Sequence, residues 1–181
     1  MINSLIMDRG FKILLVGLPE SGKSSIIQAV FEGIRSEQTK KQCDDIFAEG
    51  RKISFLGNSI NIFDVGEGVT IFDEIFSILQ VMAFSNIKAI VYVVDSVNRQ
   101  EFKKAKYYFQ KCYDKVRDHR IETRFFILAH KMDLLADNQK DVILSELWEY
   151  FEVEKDPFIQ LFGTSICDDS IYDTIKYIVE S

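Results

Sequence analysis

One segment near the amino end has the residue types and spacing of a phosphate-binding loop. Residues 17–24 read Gly-Leu-Pro-Glu-Ser-Gly-Lys-Ser, a full G-x-x-x-x-G-K-[ST] pattern that follows a short apolar run. In such a loop the first glycine turns the chain sharply, backbone N–H groups surround a phosphate, and the second glycine permits close approach. The predicted phosphate-contacting set is Gly17, Glu20, Ser21, Gly22, Lys23, Ser24 and Ser25.

Two side chains of this loop have specific expected roles. Lys23 is expected to reach the β- and γ-phosphates, and Ser24 to ligate Mg²⁺, while the N-terminus of the following helix adds positive potential. The alternative is an ordinary glycine-containing turn between a strand and a helix. With glycine near about 7% of residues, a chance match in a chain of this size is roughly one in a hundred or rarer. The pattern therefore predicts nucleotide binding.

A second candidate ligand of the metal closes an apolar run further along the chain. Asp64 follows Ile60-Asn61-Ile62-Phe63, and it lies 40 residues after Ser24. An aspartate at a strand end commonly holds Mg²⁺ through water in such sites. The alternative is an aspartate that caps a turn. The predicted metal ligands are therefore Ser24 and Asp64.

The segment His130-Lys131-Met132-Asp133 indicates which base is bound. It follows the apolar run Arg124–Ala129, so it lies at a predicted strand end. A carboxylate at Asp133 can accept the N1 and N2 hydrogens of guanine, which adenine lacks, and the Lys131 stem can cover the base. The alternative for an isolated pattern of this kind is a charged turn. That alternative fails here because the phosphate loop and the order of the strands already match, so the segment predicts a guanine site.

The elements that must position these residues alternate along the chain. Apolar runs without polar alternation predict strands, and they occur at Phe11–Val16, Lys52–Leu56, Ile60–Val65, Lys88–Val94, Arg124–Ala129 and Phe158–Phe162. Helical stripes lie between most of them: Ile26, Ile27, Val30, Phe31 and Ile34; Phe72, Ile75, Phe76, Leu79 and Met82; Phe102, Ala105, Phe109, Cys112 and Val116; Leu144, Leu147, Trp148 and Phe151; and Ile171, Ile175 and Ile178.

This alternation predicts a three-layer α/β/α fold with a six-stranded, mostly parallel sheet. The turn residues Gly57-Asn58-Ser59 predict a hairpin, and hence one antiparallel edge strand. Residues 35–51 are polar and lack periodicity, which predicts a long functional loop. We expect residues 1–181 to form a single domain.

Composition excludes several classes of protein. The net charge of −6 argues against a nucleic-acid binder, and the three cysteines lack metal-ligand spacing and are typical of free thiols in a reducing cytosol. No apolar run approaches a membrane span, residue 2 is Ile rather than a myristoylated Gly, and the terminal Val-Glu-Ser is no prenylation box. We therefore expect a cytoplasmic protein without its own membrane anchor, which a partner could recruit to an endomembrane.

Together these motifs resemble those of small GTPases, whose base motif usually reads Asn-Lys-x-Asp. The histidine variant is similar to the Rag/Gtr branch, and three further segments agree with that branch: Phe55-Leu56-Gly57-Asn58, Asp95-Ser96-Val97-Asn98-Arg99 and Thr164-Ser165-Ile166. The resemblance covers about residues 11–180 and implies the P-loop GTPase fold, GTP or GDP and Mg²⁺ as ligands, and protein partners such as another GTPase, a scaffold or an activating protein. It also implies that Ser165 and Ile166 make backbone contacts to the O6 atom and the ring of guanine.

Two features depart from the family pattern. Rag proteins continue into a second, dimer-forming domain, whereas the last predicted helix here ends close to residue 181. The segment after Asp64 often reads Asp-x-Gly-Gly-Gln in the family, but here Glu67 replaces the second glycine and Gly68 replaces the water-orienting glutamine. A switch threonine is also missing near Asp44 and Asp45. These losses concern the γ-phosphate rather than GDP, so no catalytic residue is assigned.

Three functions are compatible with these residues. The first is a GDP/GTP switch whose hydrolysis is slow or assisted by a partner's residue. The second is a pseudo-GTPase, a binding module held by one tightly bound nucleotide. The third, a small-molecule kinase, requires an arginine-bearing lid, and the segment 35–51 offers only Arg35 and Arg51. The sequence favours the first.

Overall fold

A six-stranded sheet lies at the centre of the structure, a computed structural model that describes residues 10–33, 49–65, 87–118 and 123–181. The sheet has the spatial order β2-β3-β1-β4-β5-β6, in which only the β2–β3 pair is antiparallel. The strands are β1 (Phe11–Gly17), β2 (Glu49–Phe55), β3 (Asn58–Val65), β4 (Ile87–Asp95), β5 (Arg124–His130) and β6 (Ile159–Gly163). The predicted sheet is therefore confirmed.

Helices cover both faces of this sheet. The first, α1 (Lys23–Ile26), continues as a π-helix over Ile27–Phe31. The others are α2 (Phe102–Asp118), α3 (Asp137–Tyr150) and α4 (Ser170–Glu180), with single 3₁₀ turns at Arg99–Glu101, Met132–Leu134 and Val153–Lys155. One apolar core lies between the sheet and α2 with α3, and a second lies between the sheet and α1 with α4. The three-layer α/β/α prediction is thus confirmed.

The predicted apolar stripes agree with the structure on α2 and α4 but not at every residue of α3. Every predicted core residue of α2 and of α4 is buried. On α3 the prediction was wrong at Trp148, which is 43% exposed, because the buried face runs through Ile143, Leu147 and Phe151 at spacings of four residues. The stripe predicted over residues 72–82 lies outside the described residues.

The hairpin turn differs slightly from its prediction. Strand β2 ends at Phe55 and β3 begins at Asn58, so the two-residue loop is Leu56-Gly57. Both loop residues have positive φ, at 50° and 77°, as a type I′ turn requires. Strand β2 also begins at Glu49 within the predicted loop, because its backbone continues to pair with β3 as far as Asp64.

Within the four described ranges, no helix is both long enough and apolar enough to cross a membrane.

Candidate functional site

The carboxyl ends of the parallel strands bring the predicted site residues to one edge of the sheet. Strands β1, β4 and β5 end at Gly17, Asp95 and His130. Asp64 is the penultimate residue of β3 and pairs with Leu15 of β1, two residues before the phosphate loop begins. Parallel α/β sheets place their ligand sites at this edge. The two motifs therefore lie side by side, although more than 100 residues separate them in sequence.

The phosphate loop packs closely on the strand beside it. A Cβ atom added to Gly17 would lie 2.4 Å from the Val93 carbonyl oxygen, so only glycine fits there. Lys23 is almost fully buried, and its Nζ donates to the carbonyl oxygens of Gly17 at 3.1 Å and Leu18 at 2.8 Å. The ammonium group is thereby held inside the curve of its own loop.

Gly22 is required for a contact that the sequence did not indicate. Its φ is 107°, and an added Cβ would lie 2.5 Å from Cδ2 of the His130 ring. The imidazole thus lies directly against the phosphate loop, and any side chain at residue 22 would displace it. Glycine at residue 22 therefore allows the predicted base motif to pack against the predicted phosphate loop.

His130 is buried, with 1% of its surface exposed. Its Nδ1 lies 3.0 Å from the Thr164 hydroxyl oxygen, and its carbonyl oxygen accepts a hydrogen bond from the Ser96 amide. Burial, with a smaller effect of the neighbouring Lys131 cation, lowers the pKa of His130 to about 4. The ring is therefore neutral at physiological pH and links the β5 and β6 ends to the phosphate loop.

Lys131 joins the base motif to two other segments of the site. Its Nζ donates to the Glu20 carbonyl oxygen and to Asp95 Oδ2, both at 2.6 Å. Glu20 and Lys131 both have positive φ, at 54° and 65°, a conformation that is strained for side chains other than glycine. Strain of this kind is concentrated at functional sites, where surrounding contacts hold it.

Asp133 is held from the loop that follows β6. The Ser165 hydroxyl donates to Asp133 Oδ1 at 2.6 Å, and the Cys167 thiol donates to Oδ2 at 3.5 Å. Burial alone would raise the pKa of Asp133, but these hydrogen bonds, led by that of Ser165, lower it below its usual value. The carboxylate is therefore ionised and fixed in orientation.

A cavity of about 350 Å³ lies between the two motifs. The phosphate loop and the helix after it supply Gly22 and Ser25, and the base motif supplies His130, Lys131 and Asp133. Leu134, Ile166 and Cys167 complete its wall. Ser165, whose backbone was predicted to contact the base, is fully buried and does not line the cavity. Its amide donates to the Ser170 hydroxyl oxygen at 2.9 Å, and its hydroxyl donates to Asp133.

Sequence reasoning gave no role to several residues of this site. Asp95 and Thr164 were predicted only to agree with the family pattern. In the structure the Asp95 carboxylate accepts a hydrogen bond from Lys131, and the Thr164 hydroxyl oxygen lies 3.0 Å from His130 Nδ1. Cys167 was interpreted as an ordinary free thiol. Its position directly after Ser165-Ile166 was the available signal, since a residue adjoining a base-contacting segment is a candidate for the same wall.

Some predicted residues cannot be placed beside this cavity. Glu67, Gly68 and residues 35–48 lie outside the described residues. Ser24 is the second residue of α1, the helix that follows the loop after β1, and Asp64 belongs to β3, which pairs with β1. In the described ranges, no group of three or more His, Cys, Asp or Glu residues could hold a metal ion. One hydroxyl and one carboxylate suit Mg²⁺, which usually keeps several waters and binds substrate phosphates.

Comparisons with known proteins agree with this geometry. Residues 12–181 match the family described as the Gtr1/RagA G protein conserved region. The GTP-binding protein gtr1 of Schizosaccharomyces pombe is 30% identical over 170 residues, which cover 93% of this chain and 55% of that protein. Ras-related GTP-binding protein A of Dictyostelium discoideum is 28% identical over 94% of this chain and 57% of its own length. The chain thus spans about half the length of these curated relatives.

A solved structure supports the same fold. The Arl6 BBS3 small GTPase of Trypanosoma brucei, solved with the nucleotide analogue GppNp, aligns with a TM-score of 0.69 at 17% identity, covering 94% of this chain and 96% of that one. Because the family match extends over nearly all of the sequence, this chain belongs to the Gtr1/RagA family of G proteins.

Proposed function

We propose that this chain is a guanine-nucleotide switch of the Rag/Gtr type, which binds GDP and GTP with Mg²⁺. The observation that carries the proposal is one cavity of about 350 Å³ with Gly22 and Ser25 on one side and Asp133 and Ile166 on the other. This volume falls within the roughly 300–1,000 Å³ range of small-molecule sites. A phosphate-binding segment and a base-binding segment thus face the same space.

Asp133 sets the preference for guanine in this proposal. Its ionised carboxylate accepts the N1 and N2 hydrogens of the base, and the Ser165 hydroxyl on Oδ1 fixes its orientation. The Lys131 stem covers one face of the base, with its ammonium group held by Glu20 and Asp95. Adenine offers no matching pair of donors, so it leaves the Asp133 carboxylate without a partner on the base.

Lys23 and the backbone of residues 17–25 hold the phosphates. The Lys23 ammonium, now bound to two loop carbonyls, is the nearest cation for the β- and γ-phosphates. Ser24 and Asp64 would hold Mg²⁺, which neutralises phosphate charge when bound.

Hydrolysis is expected to be slow without help. Gly68 has no side chain with which to orient water, and a Glu67 carboxylate beside the γ-phosphate would oppose its charge. A partner protein (another GTPase, a scaffold or an activating protein) supplies the missing group and recruits the chain to an endomembrane. A pseudo-GTPase that only binds nucleotide is the second candidate, favoured by the same substitution at Gly68.

The test of guanine binding is Asp133→Asn. The amide keeps one acceptor oxygen but turns an NH₂ group toward the other guanine donor, at a cost on the order of 1–3 kcal/mol, so GDP affinity should fall about tenfold or more. Xanthosine diphosphate, whose base has a carbonyl acceptor in place of the guanine 2-amino donor, should gain affinity. Isothermal titration with both nucleotides measures this, and Asp137→Asn, an exposed site with the same charge change, should leave GDP affinity unaltered. ATP competing equally with GDP would contradict the proposal.

Single-turnover phosphate release tests the catalytic part. We expect an unassisted rate of about 10⁻⁴ s⁻¹ or below, typical of G proteins without an activating partner. Gly68→Gln should raise the rate if the water-orienting side chain is what the chain lacks. Release by the unmodified protein within seconds would mean that another residue acts on the water.

A further inference from the structure

One of the two outermost strands of the sheet, β6, pairs only with β5 in the described ranges. Its bonds to β5 run through alternate residues, since the Phe158 carbonyl oxygen accepts from the Phe125 amide at 2.8 Å and the Thr164 amide likewise donates to β5. Backbone groups of alternate residues point in opposite directions, so the N–H and C=O groups of Leu161 and Gly163 point away from β5. The outer side of β6, which we call the β6 edge, therefore presents backbone donors and acceptors.

The β6 edge lacks the features that usually keep strand edges from pairing with other chains. Natural edge strands are commonly blunted by charged side chains, bulges or proline. Here the sequence from Pro157 to Cys167 contains no charged residue, and the register between β6 and β5 is regular. Because Pro157 precedes the strand, it removes neither outward N–H group, at Leu161 or at Gly163. The edge is thus suited to accept a further strand.

A half-exposed aromatic side chain lies beside this edge on each face of the sheet. On one face, a Cβ atom added to Gly163 would lie 3.4 Å from Leu144 of α3, and Trp148, 43% exposed, follows one turn later on the same side of that helix. On the other face, Tyr177 of α4, 44% exposed, lies against Phe162 of β6 with ring centroids 5.6 Å apart. An added strand would therefore meet apolar surface on both faces.

Both flanking helices also carry exposed acidic residues on the side of these aromatics. Asp141 of α3 is seven residues before Trp148, which places both on one side of the helix. Asp173 and Glu180 of α4 are four residues before and three residues after Tyr177, so they share its side. Within the described ranges, none of these three carboxylates forms an ion pair. Negative charge therefore borders the β6 edge on both faces.

This charge argues against a second copy of the chain at the edge. Antiparallel pairing of two β6 strands about a two-fold axis would place each flanking helix beside its own copy. Asp141 would then approach Asp141 of the other copy, and like charges brought together in this way disfavour association. A segment that carries lysine or arginine complements the same surface.

We propose that the β6 edge is a docking site for an extended basic segment of a partner protein, which adds to the six-stranded sheet as a further strand. Its backbone pairs with the outward groups of Leu161 and Gly163, and its alternate apolar side chains contact Trp148 or Tyr177. Its lysine or arginine residues lie beside the carboxylates of α3 and α4. None of these residues lines the guanine cavity, so the docking site does not depend on the proposed nucleotide binding.

The test titrates the heptapeptide acetyl-KTVTVTK-amide into the full chain and follows backbone amide NMR shifts, which should centre on residues 159–163. The charge-reversed peptide acetyl-ETVTVTE-amide should bind at least about fivefold more weakly. Two further peptides carry N-methyl groups on the valine nitrogens or on the threonine nitrogens. Because alternate residues of an added strand face the edge, only one of the two should lose binding. Equal binding by both would overturn the backbone pairing.

A matched pair of variants tests the same backbone contact on the protein. Leu161→Pro removes an outward N–H group but none of the bonds to β5, so it should weaken the basic peptide at least about tenfold. Leu161→Ala loses the same apolar side chain and keeps the N–H group, so its affinity should stay within about threefold of the wild type.

Two surface variants test the charge and keep the proposal falsifiable if Leu161→Pro does not fold. Asp141→Lys should weaken the basic peptide at least about threefold, whereas Asp114→Lys, an exposed residue of α2 with the same charge change, should not. Equal binding of the basic and acidic peptides, or shifts centred elsewhere, would overturn the proposal. A chain that is dimeric by light scattering, and monomeric as Leu161→Pro but not as Leu161→Ala, would assign the edge to a second copy instead.

Discussion

His130 is one of two residues, with Lys131, through which the two halves of the site are in contact. Its ring lies against Gly22 of the phosphate loop, and its Nδ1 lies 3.0 Å from the Thr164 hydroxyl near the end of β6. The ring is neutral because burial removes it from water. Protonation would place an uncompensated charge in the interior, since Lys131 adds positive charge beside it even though Asp133, Asp95 and Asp168 act in the opposite sense.

This environment predicts that acid weakens the fold through His130. The pKa falls from an ordinary 6.5 to about 4 in the folded chain. Between pH 6.5 and about pH 4 the imidazole is protonated in the unfolded chain but stays neutral in the folded chain. The contribution of His130 to the free energy of unfolding is therefore fully present above pH 6.5 and is lost progressively as the pH falls to about 4. The loss attributable to this group is on the order of 3 kcal/mol, at 1.36 kcal/mol per pKa unit. Urea unfolding of the nucleotide-free protein between pH 7 and pH 4 measures it.

The matched variant is His130→Asn, which keeps a polar group that does not titrate. Carboxylates contribute equally to the pH dependence of both proteins, so the difference between the two curves isolates the imidazole. We expect the variant's free energy of unfolding to decline less steeply below pH 6.5. Parallel curves would mean that the ring accepts a proton without cost.

At this scale the sequence predicted residue types well and their partners poorly. The spacing of glycine, lysine and serine follows from phosphate chemistry, so residues 17–25 could be identified without coordinates. The bond from Ser165 to Asp133 joins segments 32 residues apart, and the bond from Lys131 to Glu20 joins segments 111 apart. Neither separation leaves a local pattern in the sequence, because the partners meet only when parallel strands align their ends.

Among the elements, the hairpin between β2 and β3 carries local strain. A two-residue type I′ loop needs positive φ at both residues, and Leu56 occupies the first of them with φ 50°. A leucine gains little burial there in return, since it is 45% exposed. Asparagine tolerates this conformation far better, and Asn-Gly is the preferred pair for such loops.

Leu56→Asn should therefore stabilise the protein by about 1 kcal/mol. Thermal unfolding monitored by circular dichroism measures the gain. Leu56→Ala is the control, because it removes the same apolar side chain without tolerance for positive φ, and it should leave the melting temperature nearly unchanged. An equal gain from both substitutions would attribute the effect to the exposed apolar surface rather than to the backbone.

The same elements show why the fold was more predictable than its boundaries. Helices α2 and α4 each bury one continuous stripe of apolar residues, so the helical spacing of apolar residues in the sequence was enough to identify their buried faces. Helix α3 has apolar residues on two faces, and period could not decide between Trp148 and Ile143. The π-helix at Ile27–Phe31 follows α1 without a break. A π-helical turn contains one residue more than an α-helical turn, and the apolar pattern of this stretch does not reveal that extra residue.

At the scale of the whole molecule, the nucleotide is expected to contribute to stability. A ligand that binds only the folded state stabilises it by mass action, by about 2.7 kcal/mol at about 100 times its dissociation constant. For a domain of this size that corresponds to a rise in melting temperature of about 5–10 °C. In the structure, Lys23 and Lys131 donate to carbonyl oxygens of the phosphate loop, and His130 lies against its Gly22.

Lys23→Ala separates the structural and ligand-binding contributions of this loop. Without nucleotide, the variant loses two hydrogen bonds to loop carbonyls, each worth about 1 kcal/mol, so it should melt slightly below the wild type. With excess GDP and Mg²⁺ the wild type should rise by about 5–10 °C while the variant stays where it was. Lys103→Ala, on the exposed side of α2, is the control and should keep the full GDP response. A Lys23→Ala protein that still rises with GDP would show that the ammonium does not hold the phosphates, and backbone amides alone would then have to account for binding.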